Sequence, residues 1–264
     1  MTVKTPAEVL DRALAAGEKK VALTRSNFSK LIVLSILAGA YIALGGVLSL
    51  IAGYGFPEAT AANPSLQRLL SGATFPIGLI LVVVLGAELF TGNNAMLMPL
   101  YMKRGCTVGD IALNWTTVWC GNLVGAFAVS YFLVFLPGLT AAEPYHSAIV
   151  RIAEAKVSMP QYVVFLKAIG ANWCVCLAVW LAMSGNTLTE KMAGCWFPVF
   201  AFVALGYEHS IANMFFIPTG IFEGADVTIG SMVCDNLIAA TLGNIVGGAL
   251  FVGCIHAWLH FKRE

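Results

Sequence analysis

Six stretches of this chain are too long and too apolar for a water-soluble fold: Leu31–Ala52, Leu69–Met102, Ile111–Leu136, Tyr162–Met183, Met192–Pro218 and Met232–His260. A helix needs about 20 mostly apolar residues to cross a hydrocarbon core of about 30 Å. With 59% of its residues hydrophobic and 11% charged, a soluble domain of 264 residues could not cover its own apolar surface. The sequence therefore predicts an all-α membrane protein with six transmembrane helices. A net charge of +1 speaks against nucleic acid as a partner. The seven cysteines form no CxxC and no Cys/His spacing, so neither a metal nor a cofactor is expected. Cys106, beside Lys103 and Arg104, reads as the one surface thiol.

An even number of spans puts both termini on one side. Lys4, Arg12, Lys19, Lys20, Arg25 and Lys30 precede the first span. The loops and tail on the same side bring the basic residues there to eleven, against three (Arg68, Arg151, Lys156) on the other. The positive-inside rule then predicts a multi-pass protein of the cytoplasmic (inner) membrane with both termini in the cytoplasm. Residues 1–30 read as an amphipathic helix lying on the membrane surface, and 261–264 as a cytoplasmic tail.

The two halves echo each other. "GATFPIG" (72–78) matches "GCWFPVF" (194–200) at Gly, Phe and Pro. "GAELFTGNNAMLMP" (86–99) matches "GYEHSIANMFFIP" (206–218) at Gly, Glu, an Asn and Pro. "GNLVGA" (121–126) matches "GNIVGG" (243–248). The offsets stay between 119 and 122 residues, in order, which marks an internal repeat. Each half has three spans, so the second enters the membrane from the opposite side. The expected units are two inverted three-helix repeats, 31–138 and 162–260, joined by an extracytoplasmic connection at 139–161.

The second span holds 34 residues, about 50 Å as one helix, which is too long for a single straight crossing. Its breaker is "ELFTGNN" (88–94), and "EHSIAN" (208–213) is the equivalent point in span 5. Broken backbone at membrane depth persists only where protein or a wet cavity supplies hydrogen bonds. The restarted half-helices aim positive N-terminal ends at the membrane centre, where they favour anions. Glu88 and Glu208 are expected to bond the freed backbone N–H groups, with Asn213 beside the second. Asn122 and Asn244 read as glue between helices. His209 is the one histidine deep in the membrane, stands at a break, and is of the residue type that titrates near neutral pH. Lys167, inside span 4, reads as an anion attractor or a snorkelling lysine, and Asp235 as the N-cap of span 6.

With these residues in hand, the chain resembles the formate/nitrite transporter family through "ELFTGN", "GNLVGA", "GYEHSIANMF" and "DNL…TLGNIVGG", over about residues 25–260. The resemblance implies an aquaporin-like protomer with helices 2 and 5 broken, a homopentamer with one pore per subunit in membrane lipid, and transport of small monovalent anions. It implies that Thr91 and His209 face the pore centre with Asn172 beside them. Phe75, Leu79, Leu89, Phe90, Val175 and Phe202 would form the apolar constrictions, and Lys156 would draw anions to the outer vestibule. "MFFIPTGI" and "MSGNTL" resemble formate members, while "FLKAIGANWCVCLAVW" resembles nitrite members. The order of expectation is formate, nitrite, hydrosulfide.

An anion entering an apolar ring loses hydration at a cost of several kcal/mol, which a neutral acid largely avoids. The sequence thus suggests a pH-dependent channel or transporter in which His209 supplies a proton, directly or through a polarised water. A neutral-solute channel of aquaporin type would carry paired Asn-Pro-Ala boxes, and the single Asn-Pro is Asn63–Pro64. An intramembrane serine protease would need a Gly-x-Ser turn that Ser184 lacks. No enzyme activity is expected.

Overall fold

A computed structural model describes residues 3–261, so the tail expected at 261–264 falls outside the described residues except for Phe261. Apart from a short turn of helix at Pro57–Ala62, the chain runs α1 (Pro6–Ser26), α2 (Phe28–Tyr54), α3 (Pro64–Leu85), α4 (Phe90–Met102), α5 (Val108–Phe135), α6 (Tyr145–Ser158), α7 (Gln161–Ser184), α8 (Leu188–Leu205), α9 (Ser210–Phe222) and α10 (Ile229–His260). Among the described residues six helices are long and apolar enough to cross a membrane: α2, α3, α5, α7, α8 and α10. The short α4 and α9 continue the crossings that α3 and α8 begin. α5 and α10 relax into π-helical turns at 129–135, 232–237 and 246–254.

The two breaks lie at the front edge of the stretches that the sequence marks, at residues 86–89 and 206–209; Thr91–Asn94 and Ser210–Asn213 are already helical, so the breakers are Gly86 and Gly206 and not the polar run itself. α3 ends at Gly86 (φ 74°) and α8 at Gly206 (φ 71°), both left-handed. Any other L-residue would be strained there by its Cβ. Each chain then runs through an extended residue, Leu89 or His209, before the next helix starts.

The halves close on themselves through backbone contact. A Cβ on Gly125 of α5 would strike the carbonyl oxygen of Ile36 on α2, and one on Gly247 of α10 would strike that of Ile169 on α7. These matched glycines bring α5 onto α2 and α10 onto α7 at the close backbone approach that small residues allow membrane helices.

Four findings add to or correct these expectations. α1 does not lie free on the membrane surface. Val9, Leu10, Ala13, Leu14 and Val21 are buried, packing with Leu97, Leu100, Ala95 and Cys176 of the bundle. Arg12 ties it to the end of α7 by donating to the carbonyls of Met183 (2.6 Å) and Gly185 (2.9 Å). The protein offers the apolar stripe a denser partner than a lipid headgroup layer. Second, the connection at 139–161 contains a helix, α6, whose Ala148, Ile149 and Ala153 are buried, with Ala153 and Ile149 seated against Gly220 of α9. Third, Thr228, not Asp235, caps α10, its hydroxyl accepting from the Ser231 N–H at 3.0 Å. Fourth, Cys106 is buried under α1, and the exposed thiols are Cys120 and Cys234. Lys4 N–H bonding Ser184 O, and Lys103 over the Phe261 ring, show that α1, the α4–α5 turn and the ends of α7 and α10 share one face, the terminal face.

Candidate functional site

A helix that starts inside a membrane leaves N–H groups that water cannot reach. Here each start is capped from across the bundle. Phe90 N–H donates to Asn122 Oδ1 (2.9 Å) and Ser210 N–H to Asn244 Oδ1 (2.8 Å). The other end of each amide holds the extended chain just before the helix. Asn122 Nδ2 donates to Glu88 O and Ser35 O, and Asn244 Nδ2 to Glu208 O and Ala168 O. These asparagines are more than glue between helices: all six groups they bond are main-chain groups at or facing the breaks.

The two glutamates do not bond the freed N–H groups. Glu88 accepts from Lys20 Nζ at 2.9 Å on both oxygens and from Asn93 Nδ2 at 2.8 Å, and Asn93 also donates to Asn114 Oδ1. Glu208 accepts from Lys156 Nζ at 2.9 and 3.1 Å and from Asn213 Nδ2 at 2.7 Å, and Asn213 also donates to Asn236 Oδ1. One lysine, one glutamate and two asparagines thus form the same network twice. Sequence reasoning missed Lys20, Asn93, Asn114 and Asn236. The signal was present for the asparagines: 93 and 213 are 120 apart and 114 and 236 are 122 apart, the offsets of the repeat. For the lysines it was absent, because Lys20 lies on α1 and Lys156 on α6, outside the repeated spans.

Two cavities approach the breaks from opposite faces and share no lining residue. One, about 610 Å³, opens at the terminal face and ends at Leu79, Leu89 and Val179. The other, about 310 Å³, opens at the opposite face and ends at Phe75, Phe202 and His209. Phe75 and Leu79 are one turn apart on α3, so the apolar plug between the cavities is only about 6 Å thick there. Phe75 meets Phe202 edge-on at 5.7 Å, and Phe202 stacks on the His209 ring at 5.7 Å. Phe90 and Val175, expected at the constriction, line neither cavity. Phe90 packs edge-on against Trp115 at 6.2 Å, and Val175 is buried on α7.

His209 and Thr91 meet beside this plug. His209 Nε2 lies 3.1 Å from Thr91 Oγ1, and both residues are buried. The backbone fixes the tautomer. His209 is the N-cap of α9, and Ala212 N–H donates to its Nδ1 at 3.1 Å. Nδ1 therefore presents a lone pair, and in the neutral ring the hydrogen is on Nε2, donated to Thr91. Thr91 then has its own hydroxyl hydrogen to offer a third group. This pair can bond an anion that reaches the plug, and it can exchange a proton with one.

Asn172 stands beside the pair but serves the scaffold. Its Nδ2 donates to Thr91 O (3.2 Å), Asn94 Oδ1 (3.2 Å) and Asn244 O (2.7 Å), and it lines neither cavity. Lys156 lines the smaller cavity, yet its charge is matched by Glu208, so it is not the free attractor expected from the sequence. Lys167 lines neither cavity, and its Nζ turns to Met159 Sδ at 3.7 Å.

Known proteins bear on this geometry. The family model described as "Formate/nitrite transporter" matches residues 7–258. A "Probable formate transporter" of Methanothermobacter thermautotrophicus is 45% identical, covering 99% of this chain and 98% of that protein. "Formate channel FocA" of Escherichia coli K12 is 37% identical, covering 96% and 93%. Among solved structures, an "FNT family ion channel" superposes with a TM-score of 0.85 at 34% identity, covering 96% of this chain and 99% of that one. A "Pentameric formate channel with formate bound" gives 0.78 at 31%, covering 89% and 98%. Its relatives are channels and transporters, not enzymes. Six membrane-crossing helices, two of them broken and continued by half-helices, and a near full-length match lead to one conclusion: this chain is a multi-pass membrane protein that belongs to the formate/nitrite transporter family.

Proposed function

We propose that the protein is a homopentameric channel for small monovalent anions, formate first, with one pore in each subunit. Its two inverted halves are 31–138 and 162–260, and it sits in the cytoplasmic membrane with both termini in the cytoplasm. The names of its relatives support formate, the pentameric neighbour supports the assembly, and the excess of basic residues on the terminal side supports the orientation.

The observation that carries the reading is the buried His209–Thr91 bond, with His209 lining the inner end of the smaller cavity and Thr91, which lines neither, next in the chain to Gly92 of the larger one. Formate loses its water on reaching Phe75 and Phe202. Carrying the bare charge through costs several kcal/mol, and a proton removes most of that cost. A proton from the cavity enters His209 at Nδ1, displacing the Ala212 N–H. The Nε2 proton then passes through Thr91 Oγ1 to the anion, which moves on as the neutral acid. The ring is left with its hydrogen on Nδ1; it resets by giving that proton to water in the smaller cavity while Nε2 takes one from water through Thr91, and the restored Ala212 bond, worth about 1 kcal/mol, favours this resting tautomer. The reverse sequence serves flow in the other direction.

The test is flux into proteoliposomes of formate, nitrite, hydrosulfide and glycerol, side by side at two pH values. Formate is expected to be fastest, to quicken as pH falls, and to leave glycerol far behind. Glycerol passing as readily as formate, or formate excluded while nitrite enters, overturns the assignment.

A further inference from the structure

The two cavities do not carry the same charge. Four cations line the larger one (Arg12, Lys19, Lys20, Lys191) against one carboxylate, Glu88, leaving +3. Two cations line the smaller one (Arg68, Lys156) against Glu208, leaving +1 with His209 neutral. The pairing matters more than the count. Lys20 and Lys156 are each neutralised at 2.9 Å by a glutamate, and Arg12 is held by carbonyls of α7. What remains free to meet a solute is Lys19 and Lys191 at the terminal face, and Arg68 at the other. Glu190, which precedes Lys191 in the chain, does not line the cavity. Its carboxylate is engaged by the Asn186 and Thr187 N–H groups at 2.6 and 3.0 Å.

We propose that Lys19 and Lys191 make the larger cavity the tighter anion-collecting vestibule, so that the protein takes up its anion at lower concentration from the terminal face than from the opposite one. This rests on the anion-channel reading above. Arg12, bonded to neutral carbonyls, keeps its charge and offsets Arg68, so Lys19 and Lys191 are the two extra charges; at about 8 Å in water, screened with a Debye length of about 8 Å at 0.15 M ionic strength, they enrich a monovalent anion about twofold, while at 0.01 M the factor is about fourfold and at 1 M it is close to one. A passive pore cannot pump, so the ratio of maximal rate to half-saturating concentration must be the same from both faces. The asymmetry is therefore confined to the split: a lower half-saturating concentration and a proportionally lower maximal rate from the terminal face. Lys19 and Lys191 are positioning residues, acting through local concentration and not by contact at the plug.

The experiment measures zero-trans formate flux into vesicles of known orientation, set by protease access to an N-terminal tag, with equal pH on both sides. Wild type should show about a twofold lower half-saturating concentration from the terminal face at 0.15 M, vanishing at 1 M. The double substitution Lys19→Gln, Lys191→Gln should equalise the faces at 0.15 M, and Arg68→Gln should widen the difference. Equal half-saturation in wild type at low salt, or an asymmetry that the double variant keeps, overturns the inference. No formate flux from either face overturns the channel reading itself, and this inference with it.

Discussion

Lys156 and Glu208 offer the sharpest test of how the broken helix is held. Their side chains are 15% and 4% exposed, with the ammonium at 2.9 and 3.1 Å from the two carboxylate oxygens. Removing one partner of such a pair leaves the other charge stranded, at a cost of about 3–5 kcal/mol, whereas replacing both can be nearly neutral. Lys156→Met leaves the Glu208 carboxylate with only the amides of Asn213 and Asn236, at 2.7 and 3.4 Å. Glu208→Gln keeps the Asn213 bond but sets an amide against an ammonium. The double variant leaves a neutral amide on Asn213 and a methionine beside Phe216, over whose ring Lys156 Nζ now sits at 5.8 Å. At about 2–4 °C per kcal/mol, each single variant should melt roughly 10 °C below wild type and the double variant should regain at least half of that. Thermal unfolding of the purified oligomer, followed by size-exclusion fluorescence, reads the midpoints. Formate uptake measured at low salt and at 1 M inert salt separates the roles. If Lys156 holds the Glu208 loop, the Lys156→Met deficit persists at 1 M, where the Debye length is about 3 Å. Singles that melt like wild type, or a deficit that disappears at high salt, would refute the clamp and restore Lys156 as an attractor.

Two further outcomes follow from the same geometry. Phe202→Ala removes the ring that meets both Phe75 and His209, so formate leak should rise and glycerol exclusion weaken, with a loss of about 3–5 kcal/mol in stability from the cavity left behind; an unchanged glycerol barrier in swelling assays would exclude Phe202 from the plug. Gly206→Ala places a Cβ in open space but at φ 71°, so it should cost only the backbone term of about 1–2 kcal/mol, with Asn at the same position costing less; an Ala variant that melts like wild type would show that the turn needs no left-handed residue.

Much of this was legible in the sequence, for identifiable reasons. The spans are a composition signal, and the breaks announce themselves because "ELFTGNN" and "EHSIAN" put polar residues where lipid tolerates none. The repeat offsets even encode the pairings of Asn93 with Asn213 and Asn114 with Asn236, although single matched asparagines draw little notice. What stayed hidden depends on tertiary contact. Lys20 looks like any basic residue of an amphipathic helix, and its burial against Glu88 follows only from where α1 docks. Lys156 looks like a free cation until Glu208 is seen beside it. Phe90 stands next to Leu89 in the chain, yet the turn into α4 sends its ring to Trp115 and away from the cavities. The cap role of His209 is likewise a backbone event: the chain is extended at 209 and helical from 210, and no side-chain pattern states that.

The central claim is that His209 hands a proton to the anion at the plug, and His209→Asn tests it most directly. Asparagine is a good N-cap, so its Oδ1 can accept from Ala212 N–H, while its amide nitrogen takes the place of the ring Cδ2 and stops short of Thr91. The helix cap survives, and the titratable ring is lost together with its bond to Thr91. Purified wild-type and variant protein should therefore assemble and melt alike. In proteoliposomes with an imposed pH gradient, acid outside, the wild type should accumulate formate above its equilibrium level without a gradient. The Asn variant should show no gradient-driven accumulation and a flat pH dependence, with at most a residual leak. Wild-type accumulation by the Asn variant would contradict the relay and leave His209 as a cap and hydrogen-bond donor alone.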